Sequence, residues 1–152
     1  MEPTNINSKR EAYYVTSTYI AEFWCFVSSI AILMVSIMGD DLLLITTSVC
    51  SALSHALPYK FFHRLDMIMV WITVLRFSVC LLAHFQSEFF RRCAVAVIIN
   101  AIDTYFTRKY LKQIGPWLHV LWHLYIAYLF YYFSFEYAPI VRKALTEEDY
   151  RS

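Results

Sequence analysis

The sequence predicts an all-α protein, a polytopic transmembrane bundle of about five spanning helices. Hydrophobic residues make up 59% of the chain and charged residues only 16%, whereas a soluble domain is usually about half apolar and a quarter charged. Two glycines and four prolines in 152 residues are too few for a loop-rich β protein or a disordered chain. Four apolar segments approach the ~20 residues that a membrane-spanning helix needs, and a fifth is shorter.

The charge balance argues against a nucleic-acid partner. Thirteen basic and twelve acidic residues give a net charge of +1, and nucleic-acid binding needs a basic excess on one face. Residues 1–16 are polar and contain no apolar core of a signal peptide. We therefore predict a polar N-terminal segment (1–16), a transmembrane domain (17–138) and a polar C-terminal tail (139–152).

The first two predicted helices are separated by a short polar turn. The first runs from Tyr19 to Met38 and contains one charge, Glu22. Gly39-Asp40-Asp41 ends it, and the second helix runs from Leu42 to Leu57. Pro58 ends the second helix, because proline disfavours helical geometry in the residue before it.

The remaining three predicted helices follow a polar loop at Tyr59–Arg64. They run from Leu65 to Phe85, from Cys93 to Phe106, and from just after Gly115-Pro116 to Tyr137. The fourth is short, but basic residues flank it, and their side chains can snorkel so that a short apolar stretch still spans.

Ionisable residues interrupt the apolar helices at one level of the predicted bundle. Ser51 and His55 are four residues apart and share a helical face, as do His119 and His123. Asp66 opens the third helix. In an alternating bundle the end of helix two and the starts of helices three and five lie at the same side, so these five residues can converge.

Two interpretations of the paired histidines remain open at this point, metal ligands or hydrogen-bonded core histidines. The common layer favours zinc, because three histidines leave a fourth tetrahedral position for water, as in catalytic sites. Asp66 can accept or relay a proton, and Ser51 can hold the water or a developing oxyanion. His63 lies in the predicted loop beside Asp66 and could compete as a ligand, but a surface role is favoured because it has no partner histidine four residues on.

Four stretches together resemble the alkaline ceramidases, membrane zinc amidases related to the adiponectin-receptor group. They are YVTSTYIAEFW (14–24), SALSH (51–55) followed by Asp66, NAID (100–103) and GPWLHVLWHL (115–124). The resemblance implies His55, His119 and His123 as zinc ligands, with Asp66 as general acid/base and Ser51 as a polar partner. It also implies hydrolysis of the ceramide amide to sphingosine and fatty acid in the endoplasmic reticulum or Golgi membrane.

The chain departs from that family in three respects. The family has seven spanning helices and this chain has room for about five, the missing pair falling between Phe85 and Phe90. Of the family's calcium motif, Glu11 and Glu22 are retained, while its Asp and Asn are absent; Ca²⁺ is therefore only a secondary candidate. Cys25 stands where the family has asparagine. The alternative function is a non-catalytic, shortened relative that binds lipid or scaffolds a partner.

Several remaining residues have structural interpretations. The four cysteines are predicted to be buried apolar thiols. Glu22 is either a calcium ligand or an interfacial carboxylate near a helix N-terminus. Arg76 is predicted to pair with Asp103, the alternative being a lipid headgroup.

Overall fold

The structure, a computed structural model, describes the backbone of residues 4–57, 59–109 and 115–149 and the side chains of 20–57, 59–105 and 117–143. Within these ranges the chain is helical, which confirms the all-α prediction. The elements are α1 (Thr4–Met38), α2 (Leu42–Ala56), α3 (Lys60–Ala83), α4 (Ser87–Lys109), α5 (Gly115–Tyr132), a π-helical turn (Phe133–Tyr137) and α6 (Ala138–Asp149). Helix α1 packs on α2 and α5, α2 packs on α3, and α4 packs on α5.

Helix boundaries differ from the sequence prediction at several places. Helix α1 begins at Thr4 rather than Tyr19, within the predicted polar segment, and α4 runs over Ser87–Lys109 rather than Cys93–Phe106. The predicted loop Tyr59–Arg64 is wrong, because α3 begins at Lys60. The five residues from Lys60 to Arg64 carry no helix breaker, so the helix can include them. The polar tail is likewise helical, since α6 continues from α5 through the π-helical turn to Asp149.

Two helices in the described part of the chain are long and apolar enough to cross a membrane. They are Ile20–Met38 within α1 and Lys60–Ala83, which is α3. Helix α2 is apolar but has only 15 residues. Membrane association is thereby weakly indicated, and the five-span arrangement stays a prediction.

The turn between α1 and α2 is closed by two consecutive caps. Asp40 adopts a left-handed backbone with φ 49°, and the amides of Asp40 and Asp41 donate to the carbonyls of Ile37 and Ser36. This pairing is a Schellman motif, in which a short polar residue replaces the usual glycine. The Asp41 carboxylate then accepts from the Leu44 amide at 3.1 Å and caps α2.

Arg76 of α3 binds this turn, so its predicted pairing with Asp103 is wrong. Its guanidinium donates to Asp41 Oδ1 at 2.6 Å. Partial burial acts to raise the pKa of Asp41, but the Arg76 hydrogen bond and the α2 amides outweigh it and lower that pKa. The ion pair therefore ties the α1–α2 turn to α3.

We expect Asp41→Asn to lower stability by about 1 kcal/mol at neutral pH, as for a partly exposed ion pair. Asparagine still caps α2, so the charge alone is removed. A lowered folded-state pKa stabilises the protein fully above the unfolded carboxyl pKa of ~3.9, and this stabilisation is lost as pH falls through the folded value. Unfolding in detergent at several pH values checks this. An unchanged acid dependence in the variant would contradict it.

Hydroxyl groups join neighbouring helices where the backbones approach closely. The Oγ atoms of Ser36 on α1 and Ser48 on α2 are 3.0 Å apart. The Oγ1 atoms of Thr47 on α2 and Thr73 on α3 are 2.9 Å apart. Small hydroxyl residues of this kind are typical of helix contacts in membranes.

Gly39 allows the α1–α2 turn to contact the π-helical turn. A Cβ at Gly39 would lie 2.6 Å from Ser134 Oγ and 2.7 Å from Ser134 Cβ. We expect Gly39→Ala to destabilise the protein by about 1–3 kcal/mol, as overpacking does. Thermal unfolding in detergent measures the effect, and adding Ser134→Gly should restore most of it. Purely additive effects of the two substitutions would contradict the contact.

Candidate metal centre

Three histidine rings converge at the end of the bundle where α2 ends and α5 begins. The ring centroids of His55, His119 and His123 are 4.8–5.4 Å apart in all three pairs. His123 is almost completely buried, at 1% exposure, while His55 and His119 are partly buried. The structure thus brings together the three histidines that the sequence predicts as ligands.

Carboxylates hold two of the rings by their Nδ1 atoms. Glu22 Oε2, on α1, lies 2.7 Å from His55 Nδ1. Asp103 Oδ2, on α4, lies 2.8 Å from His119 Nδ1. A carboxylate only accepts hydrogen bonds, so each Nδ1 carries the proton. Each of these two rings therefore has its lone pair on Nε2.

A serine fixes the third ring in the same way. Ser29 Oγ donates its only proton to the Cys25 carbonyl at 2.9 Å, and it lies 3.1 Å from His123 Nδ1. It must therefore accept from that nitrogen, which leaves His123 Nε2 unprotonated. Ser51 Oγ, 3.2 Å from Ser29 Oγ, completes this hydrogen-bonded chain.

The unprotonated nitrogens of His55 and His123 face each other. Their Nε2 atoms are 3.3 Å apart, and with both Nδ1 atoms protonated no neutral ring offers a proton between them. Either a proton shared between the two nitrogens or a metal cation bound to both would satisfy this arrangement. Two nitrogen ligands of a tetrahedral zinc, with bonds of 2.0–2.1 Å, are also ~3.3 Å apart.

Asp66 lies on α3 and has no hydrogen bond to the histidine rings; its hydrogen-bond partner among the described residues is Ser54. Its Oδ2 lies 3.2 Å from Ser54 Oγ, whose one proton also reaches the Ser51 carbonyl at 2.8 Å. Ser54 is the residue before His55 on α2. The Asp66 Oδ1 is buried and has no hydrogen-bond partner among the described residues. The unpaired oxygen of this half-buried carboxylate is suited to holding a polar ligand or a water molecule. Its partner is Ser54, one turn from Ser51.

Cys25 adds a thiol to the histidine cluster. The ligand atoms of Cys25, His55 and His119 all lie within 4.8 Å of one another, and Cys25 is only 2% exposed. A metal could therefore be held by sulfur as well as by nitrogen. The burial predicted for this thiol is confirmed, and its position against the histidines is new.

Four side chains that organise the centre were missed or misassigned from the sequence. The sequence predicted no functional role for Ser29 or Cys25. It predicted Glu22 as a calcium ligand or an interfacial carboxylate and Asp103 as the partner of Arg76. Glu22, Cys25 and Ser29 are three and four residues apart, which places them on one face of α1. That polar stripe in an apolar helix was a readable signal.

The calcium prediction rests on Glu11 and Glu22. The side chain of Glu11 lies outside the described residues. Glu22 contacts His55, and it lies in the middle of α1, so the interpretation as a carboxylate near a helix N-terminus is wrong. Calcium binding stays a prediction.

Comparison with known proteins adds no relative. No family model, curated protein or solved structure matches the chain significantly. The argument for function therefore rests on the geometry of the site and on the motifs themselves.

We expect Asp103→Asn to weaken metal binding by ~10–100-fold, because the carboxylate orients His119 and outer partners of this kind have that effect. Competition with a chromophoric chelator measures the affinity. Glu88→Gln is the matched control, since Glu88 is an α4 carboxylate that pairs with Arg91 and Arg92 instead. Equal affinities in the two variants would contradict the role of Asp103.

Proposed function

We propose that the protein is a zinc-dependent amidase that hydrolyses ceramide within the membrane. The observation that carries the proposal is the set of three histidines whose Nδ1 atoms are all held by hydrogen-bond acceptors and whose ring centroids lie 4.8–5.4 Å apart. Orientation of ligating histidines by outer partners is characteristic of metal sites.

Zinc fits this donor set better than harder cations do. Ca²⁺ and Mg²⁺ prefer oxygen ligands, whereas imidazole and thiol groups suit zinc. Bound zinc would act as a Lewis acid on the amide carbonyl and lower the pKa of its water towards ~7. His55, His119 and His123 are the proposed ligands.

The residues around the centre have distinct proposed roles. Asp66 takes a proton from the attacking water through its unpaired Oδ1 and delivers it to the departing amine nitrogen, while Ser54 holds the other oxygen. Ser51 acts through Ser29, since its hydroxyl hydrogen bonds to Ser29 and so helps to hold His123. In this structure Ser51 is thus a positioning residue.

The exterior of the protein favours a lipid substrate. A stripe on α3 consists of large apolar side chains that are each more than half exposed, namely Ile68, Trp71, Leu75, Val79 and Leu82. Water would disfavour such a surface, and a bilayer would accommodate it. This surface supports our proposal of a multi-pass membrane protein, and the resemblance to the ceramidases leads us to propose the endoplasmic reticulum or Golgi membrane.

The resemblance supports the choice of ceramide. The histidines, Asp66 and Ser51 all fall in motifs shared with the alkaline ceramidases, and their clustering supports a common site. Ceramide has one amide at the level of the headgroup and two apolar chains. This distribution matches a polar layer at one end of an apolar bundle.

A second candidate function is a non-catalytic, shortened relative that binds lipid or scaffolds a partner. The position of Cys25 favours it, because a fourth protein ligand gives a closed zinc site of the structural type. The chain is also predicted to have about five spanning helices rather than the seven of the ceramidases, which leaves less protein to enclose a lipid.

The test is hydrolysis by the purified chain in mixed micelles with ceramide, with zinc measured on the same sample. We expect about one zinc per chain, release of fatty acid, loss of activity after chelation and recovery with added zinc. Bound zinc without hydrolysis would support the non-catalytic candidate. Hydrolysis that persists without zinc would overturn the proposed mechanism.

A further inference from the structure

We propose that the Cys25 thiolate is a fourth ligand of the metal, which gives a closed His₃Cys site. This inference rests on the zinc centre of the proposed function and applies to both candidate functions. In an amidase the thiolate would have to leave the metal before water binds, whereas in the non-catalytic relative the site would stay closed. An open three-histidine site and a closed site have different chemistry.

The position of Cys25 is the first argument. Its sulfur lies within 4.8 Å of ligand nitrogens on both His55 and His119, and the His55–His123 pair already has the separation of two zinc ligands. The thiol belongs to α1, whereas His55 belongs to α2 and the other two histidines to α5. The proposed ligands would then come from three separate helices.

The local backbone fixes the thiol at this point. The Cys25 carbonyl accepts a hydrogen bond from Ser29 at 2.9 Å and another from Ser28 at 2.9 Å. Ser29 Oγ also lies 3.1 Å from His123 Nδ1. The residue is therefore held in register with the histidines by the same contacts that orient His123.

The other cysteines provide a contrast. Cys50 is as fully buried as Cys25, at 5% against 2% exposure, but it belongs to no group of candidate ligands in the described part of the chain. Burial alone thus does not account for the association of Cys25 with the histidines. Cys50 also supplies a matched control for substitution.

Cobalt substitution tests the proposal through a signal other than turnover. We expect Co²⁺-loaded full-length protein in detergent to show an intense near-ultraviolet thiolate-to-cobalt band beside its visible d–d bands. Cys25→Ala should lose the thiolate band, keep the d–d bands and bind zinc at least about tenfold less tightly. Cys50→Ala should keep both sets of bands. X-ray absorption of the zinc-loaded protein should show one sulfur at ~2.3 Å.

The outcomes separate this inference from the proposed function. Cobalt binding with d–d bands but no thiolate band in the unsubstituted protein would overturn the Cys25 ligand and leave the three-histidine centre intact. A thiolate band that survives in Cys25→Ala would overturn it as well. Failure to bind either cobalt or zinc would overturn the metal centre itself, and with it the proposed function.

Discussion

His123→Ala should remove the metal and reduce ceramide hydrolysis to background. His123 is the most deeply buried of the three histidines, and its Nε2 lies 3.3 Å from that of His55. Removing it leaves at most His55, His119 and the Cys25 thiol, and it takes away the nitrogen that lies at zinc-ligand separation from His55 Nε2. We therefore expect the zinc to be lost on dialysis. The measurement is zinc per chain by elemental analysis, together with fatty-acid release from ceramide.

His63→Ala is the control for this experiment. His63 is exposed and lies near Asp66 on α3, and it is the histidine that could compete as a ligand on sequence grounds. We expect the control to keep its zinc and most of its activity. Equal zinc loss in both variants would mean that the ligand set has been misassigned, and helical content by circular dichroism separates loss of metal from loss of fold.

The convergence of the histidines could be predicted because it depends only on helix geometry. Residues four apart share a helical face, so His119 and His123 had to lie together. Alternation of the helices then placed His55 at the same level. Neither inference needed any knowledge of side-chain packing.

The predicted pairing of Arg76 with Asp103 was wrong because it ignored the distance along the helix axis. Asp66 marks the level of the site on α3, and Arg76 follows it by ten residues, or about 15 Å along a helix. Asp103 lies at the site, where it holds His119. Arg76 is therefore at the opposite level, beside the turn that contains Asp41. Charge complementarity alone could not decide whether Arg76 pairs with Asp41 or with Asp103. The distance along the helix axis would have favoured Asp41.

The partners on α1 could not be assigned because they depend on how that helix is rotated about its axis. Glu22 and Ser29 reach His55 and His123 only because their face of α1 turns towards α2 and α5. Rotation of a helix is set by packing along its whole length. The sequence contains the polar stripe but does not state which neighbour it meets.

Asp66→Asn should lower ceramide turnover by ~10²–10⁴-fold, the usual contribution of a general acid–base group, while leaving the zinc content unchanged. Asparagine has nearly the same shape, and its amide oxygen can still accept from Ser54, so the local packing is preserved. What it loses is the ability of the carboxylate to take up a proton. Steady-state kinetics on ceramide, with zinc quantified on the same preparation, gives both numbers.

Asp40→Asn is the matched control, because Asp40 lies in the α1–α2 turn at the other end of α2 from His55 and its carboxylate has no proposed role. Turnover that survives in Asp66→Asn would assign the proton transfer to another group. Loss of zinc in step with activity would instead make Asp66 a ligand. A large fall in kcat with zinc retained is expected only if the unpaired oxygen of this half-buried carboxylate handles the proton. A purely structural role of Asp66 would instead lower the stability of Asp66→Asn and leave that of Asp40→Asn unchanged.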